Sequence, residues 1–129
     1  MGLMNVLNKE FSIKHGILDF VIKYNVLTKY QGENAHVTIP ETVTEIGSYA
    51  FYNNTNLISV KIPEGVTEIS ESAFSGCQSL TSVEFPDSVR TIQERAFFGC
   101  EKLGEVFLPP ETVFAEDAFP PKTRILQKG

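Results

Sequence analysis

The sequence predicts a mainly β fold with short helical turns, a solenoid of 23-residue coils behind an N-terminal β-hairpin cap. Three observations predict it. Pro40, Pro63, Pro86 and Pro109 recur at one 23-residue step, and Val37, Val60, Val83 and Val106 keep the same step. Each of these prolines ends a segment in which apolar and polar residues alternate, the period of a half-buried strand. A small-plus-large pair, Ala50-Phe51, Ala73-Phe74 and Ala96-Phe97, then follows at a fixed distance, as suits a tight turn that drops a ring inward. Self-similarity at such a period marks stacked units, because one coil alone cannot bury its apolar face.

From the N-terminus, residues 1–10 carry no strand or helix signal and are expected to be loosely ordered. Residues 11–34 are expected to form a β cap. Within it "FSIKHGIL" (11–18) and "FVIKYNVL" (20–27) share F-x-I-K-x-x-[IV]-L, with turns at His15-Gly16 and Tyr24-Asn25, which reads as two successive hairpins covering the first coil. Residues 35–129 are expected to form the solenoid. In "SVEF" (82–85) Val83 and Phe85 point inward and alternate with Ser82 and Glu84. Pro86 ends the strand because it has no N–H for a ladder bond. Val89 and Ile92 come from a second short extended piece, matched by Val43, Ile46, Val66 and Ile69. Gly99-Cys100 closes the turn after Phe97, and Leu103 leads to the next strand, as Leu57 and Leu80 do. In "LPPETVFAEDAF" (108–119) the phrase degrades, with one residue more after Pro109 and two fewer before Phe119, which aligns Val113 with Val89. Pro120 and Pro121 follow, and "TRIL" (123–126) is expected to add a last short strand in a degenerate C-terminal cap.

The composition, 42% hydrophobic and 21% charged, is that of a globular domain rather than a disordered chain. The net charge of −5, with 11 scattered basic residues, disfavours nucleic acid and anionic membrane, which both select clustered Lys and Arg. No apolar run approaches the roughly 18 residues of a membrane span. The first 20 residues lack a basic stretch followed by an apolar block, so no secretory signal is read in the chain. A monomer is expected. There is no G-x-S-x-G, H-E-x-x-H or phosphate-cradling glycine loop, so the chain is read as no enzyme and no cofactor is expected. His15 and His36 lack a second His or Cys at ligand spacing and are read as solvated rather than as metal ligands. Cys77 and Cys100 lie one repeat apart, so stacked coils would bring them within disulfide reach. Two buried thiols in a core column are the preferred reading.

The phrases "VTIPETVTEIGSYAF", "VKIPEGVTEISESAFSGC" and "VEFPDSVRTIQERAFFGC" together resemble the BspA-like, or Treponema-type, leucine-rich repeats, over about residues 28–119. The resemblance implies a leucine-rich-repeat solenoid, a bacterial or protist setting, an extracellular or cell-surface location, and a role in adhesion and protein binding. It carries no catalytic motif to transfer. Asn54 departs from the pattern by standing at the first cysteine position.

Function is then expected on the letters that the repeat leaves free. On the strands these are His36, Ser59, Ser82 and Glu105, beside Thr38, Lys61, Glu84 and Phe107. Stacked coils would turn them into a ridged face, the usual binding surface of a repeat array. Alternation points Phe107 away from Val106 and Leu108, and an exposed aromatic can anchor a protein contact. The expected role is non-catalytic protein–protein interaction with a partner not identified by these residues. The alternatives are a structural spacer or terminal domain of a larger surface protein, or a carbohydrate-binding module, which the absence of Trp disfavours.

Overall fold

The computed structural model describes residues 17–127. A single 3-10 turn, Ile17–Asp19, opens onto β1 (Phe20–Lys23) and β2 (Val26–Tyr30), an antiparallel hairpin with Tyr24 and Asn25 both at positive φ. This is the second of the two expected hairpins. Most of the first lies outside the described residues, as does the segment 1–10. The part of it that is described, from Ile17 onward, is the 3-10 turn rather than a returning strand.

The hairpin does not simply lie over the first coil. Its second strand takes the place of a coil strand, pairing in parallel with β4 (Glu45–Ile46). From there β6 (Glu68–Ile69), β8 (Thr91–Ile92) and β10 (Val113–Phe114) add one by one, giving a six-stranded sheet in the order β1-β2-β4-β6-β8-β10. On another side of the solenoid β3 (His36–Thr38), β5 (Ser59–Lys61) and β7 (Ser82–Glu84) form a parallel three-stranded sheet. Among the described residues β9 (Glu105–Leu108) pairs only with β11 (Arg124–Gln127), the last strand anticipated from "TRIL".

The third side, the turn edge, has no strand but is still bonded from coil to coil. The N–H groups of Phe51, Phe74 and Phe97 donate to the carbonyls of Ala73, Ala96 and Ala118, each at 2.7 Å. The paired small residue lets the coils approach, and the ring fills the interior. The outcome is an aromatic ladder: Tyr30, Phe51, Phe74, Phe97 and Phe119 stack at 5.0, 4.7, 4.9 and 5.0 Å. Tyr30 extends the ladder into the hairpin, which ties the cap to the core. Leu27, Ile46, Ile69 and Ile92 make a second buried column under the long sheet.

The C-terminal coil departs from its expected alignment. Thr112, not Val113, takes the slot of Val43, Val66 and Val89: it is 4% exposed, whereas Val113 is 69% exposed. Threonine has the shape of valine, and its otherwise costly hydroxyl donates to the Val89 carbonyl at 2.7 Å. The matched Pro109 and Thr112 therefore keep the repeat step, and a single residue is missing between Thr112 and Val113, which pairs with Thr91.

Candidate binding face

β3, β5 and β7 set the first six expected site residues in register. His36 pairs with Ser59 and Ser59 with Ser82, while Thr38 pairs with Lys61 and Lys61 with Glu84. Alternation turns Val37 and Val60 inward and these polar residues outward. His36 Nδ1 and Ser59 Oγ are 2.6 Å apart, and Lys61 Nζ lies 3.6 Å from Glu84 Oε2. The ion pair is mostly in water, so it orders the face more than it stabilises it.

Glu105 and Phe107 stand on the separate β9–β11 sheet rather than continuing the three-stranded one. The break has a local cause. Ile39, Ile62 and Leu108 are buried in one column, but the same position just after β7 holds Phe85, whose larger ring is only half buried and meets Phe97 edge-on at 5.8 Å. The phenylalanine ring does not fit wholly into the space that Ile39, Ile62 and Leu108 fill in the other coils. β7 makes no ladder with β9, and Val83 is left half-buried where Val60 and Val106 are buried.

The separation leaves an open groove of about 480 Å³ that runs from His36 and Thr38 across Lys61 and Ser82 to Phe85 and Phe107. A second recess of about 470 Å³ lies beyond the same two phenylalanines, against Pro109, Pro110 and Leu126. Phe107 is 65% exposed and stands where the two meet. Glu105 pairs loosely with Arg124 at 3.9 Å. The structure thus brings all eight expected residues to one side of the solenoid and adds three that sequence reasoning set aside. Val83 and Phe85 were assigned wholly to the core, and Arg124 was read only as part of a cap. One signal was present in the sequence: Phe85 is the largest residue of its column.

The groove is open and of mixed polarity, which fits an extended polypeptide better than an enclosed small molecule. Among the described residues no group of three or more His, Cys, Asp and Glu side chains is placed to hold a metal ion. Cys77 and Cys100 are free, fully buried, and away from this face in the role of core links: their thiols donate to the carbonyls of Phe51 and Phe74, each at 3.1 Å. The neighbouring Cys77 thiol, and then burial, hold the Cys100 thiol well above the ordinary range. Neither thiol has exposed surface, so both are expected to resist Ellman's reagent in the folded chain and to react fully in denaturant. Prompt reaction of both in the native protein would show that this column is open.

Six copies of the BspA type leucine rich repeat region match the chain, over residues 22–126. No curated protein matches it in sequence. Among solved structures it is similar to a leucine rich repeat protein of T. pallidum, at 26% identity and a TM-score of 0.72 over 85% of this chain and 61% of that one. A leucine-rich repeat protein of Bacteroides capillosus is similar at 25% identity and a TM-score of 0.75, covering 85% of this chain and 93% of that one. A leucine rich cell surface protein of Faecalibacterium prausnitzii is similar at 27% identity and a TM-score of 0.61, covering 85% of this chain but only 38% of that one. The chain thus spans less than two thirds of the T. pallidum and F. prausnitzii proteins.

Proposed function

The chain belongs to the BspA-type leucine-rich repeat family, and from that premise we propose that it is a non-catalytic protein-recognition module, adhesion-related and presented at a bacterial cell surface. The strand side is its recognition surface. The observation that carries this reading is the widely exposed Phe107 ring standing beside an open groove whose backbone is fixed by stacked coils. A rigid face loses little conformational freedom on binding, so contacts convert efficiently into affinity. The half-buried Val83 and Phe85 supply apolar contact, and the His36, Ser59, Lys61 and Glu84 rows supply polar contacts that select the partner. The surface setting draws on the similarity to the F. prausnitzii cell surface protein.

The test is capture of protein from host or bacterial lysate by the immobilised chain, compared with Phe107→Ala and Lys61→Glu. Loss of the central aromatic is expected to weaken capture by about tenfold or more, as at an interface hot spot. Lys61→Glu sets two carboxylates side by side with Glu84 and is expected to weaken a partner that presents acidic groups there. Capture unchanged in both variants would remove the strand side from consideration.

A further inference from the structure

We propose that the turn edge is a second recognition site, one that takes a proline-rich peptide in the polyproline II conformation with basic residues beside its prolines. It uses none of the residues of the strand side. On the first full coil Tyr49 and Tyr52 stand together, ring centroids 5.3 Å apart and planes at 69°, with 47% and 46% of their surface exposed. Two coils on, the same two positions hold Arg95 and Phe98, with the guanidinium 5.8 Å from the centre of a ring that is 57% exposed. The coil between them carries serine at both positions. Ser72 and Ser75 are 4% and 6% exposed, sheltered by the large residues on either side. Large, small, large along the axis makes a notch with two aromatic walls.

The floor of the notch is polar and has spare bonding capacity. Among the described residues neither Ser72 Oγ nor Ser75 Oγ bonds to another group, and no fully occluded side-chain oxygen is left without a partner. Both hydroxyls are therefore unpaired and keep a narrow contact with solvent at the floor.

The spacing selects the conformation of that chain. Successive ladder rings are 4.7 and 4.9 Å apart, so positions two coils apart stand roughly 9.6 Å apart along the axis. A polyproline II helix advances about 9.3 Å per three-residue turn and leaves its backbone carbonyls free. Prolines three residues apart would reach the Tyr49–Tyr52 and Arg95–Phe98 pairs together, with the intervening carbonyls over the two serines. The two rings pack edge to face at 69°, so they offer a proline their exposed outer surfaces, an angled aromatic patch as in aromatic-lined proline-recognition grooves rather than a flat platform for a sugar.

Charge selects the flanks. Glu71, Glu94 and Glu116 precede Ser72, Arg95 and Asp117, are exposed, and have no ion-pair partner among the described residues. The bond from the Ser72 N–H to the Glu94 carbonyl, 3.0 Å, places the first two on adjacent coils. Like charges stacked in this way repel, and Lys or Arg on the peptide relieves that repulsion.

The test is fluorescence anisotropy with short Lys-flanked Pro-x-x-Pro peptides, beside an array of soluble oligosaccharides. Saturable peptide binding is expected, weakened about tenfold or more by Tyr52→Ala and by Phe98→Ala. Glu94→Lys is expected to weaken it and to reduce its salt dependence, and Phe107→Ala to leave it unchanged. The three turn-edge residues are exposed, so thermal melting should confirm that each variant is folded. No saturable peptide binding, binding indifferent to both aromatic variants, or oligosaccharide binding lost in those variants instead would each overturn the proposal. Because Phe107→Ala is included, failure here and failure of the strand-side reading remain distinguishable.

Discussion

Phe74→Ala is expected to lower the unfolding free energy by about 3–5 kcal/mol, the range for removing a fully buried ring from a core. Phe74 has no exposed surface and lies between Phe51 at 4.7 Å and Phe97 at 4.9 Å, with planes 10° and 3° from parallel. Alanine leaves a gap in the middle of the ladder that neither neighbouring ring can close, because the N–H groups of Phe51 and Phe97 tie their coils at 2.7 Å. Total stability of a domain this size is on the order of 5–15 kcal/mol, so much of it goes with one side chain. Urea unfolding followed by circular dichroism measures the loss. Phe119→Ala is the internal control. That ring ends the ladder, has a stacked ring on one side alone, meets Phe114 edge-on at 5.9 Å and is slightly exposed, so its removal should cost less. Equal losses at the two positions would show that the ladder is not the core.

Ile69→Asp is expected to cost at least as much, with a pH dependence of known sign. Ile69 is fully buried between Ile46 and Ile92, in a column whose neighbours are all apolar. A carboxylate there has lost its water and gained no cation, a penalty of several kcal/mol. Burial disfavours the charged form, so the folded-state pKa rises above its unfolded value of about 3.9. The folded state then holds a proton that the unfolded state gives up. The variant's deficit relative to wild type is therefore smallest below the unfolded pKa and widens as pH rises through the folded value. The difference in unfolding free energy between the two proteins should be larger at about pH 8 than at about pH 4.5. The same difference at both would mean that the introduced group reaches water and that the long sheet is not sealed.

The columns explain why so much of this fold was legible. A solenoid repeats its packing problem in every coil, so each inward position is stated three or four times. Ala73, Phe74, Cys77, Leu80 and Val89 were recognisable as core without any structure, and all five are fully buried. Legibility failed where a residue broke its own column. Thr112 hides in a valine slot because shape, rather than polarity, decides fit once the hydroxyl has an acceptor. Phe85 follows the inward alternation, yet its size opens the sheet beside it and leaves it lining a groove. The turn edge escaped notice for a different reason. Tyr49, Tyr52, Arg95 and Phe98 differ in chemistry from coil to coil, and only the stacking of coils reveals that they bracket Ser72 and Ser75. Sequence alone placed the eight strand residues on one side, but the division between the β3–β5–β7 and β9–β11 sheets required coordinates.

On the proposed reading, the inward letters build the stack while recognition rides on the outward strand letters. Hydrogen–deuterium exchange of the chain, alone and with the protein that it captures from lysate, tests it most directly. New protection is expected at residues 36–38, 59–61, 82–84 and 105–107, with the long sheet unchanged. Protection confined to the long sheet β1-β2-β4-β6-β8-β10, with the strand side exchanging as in the free chain, would contradict it.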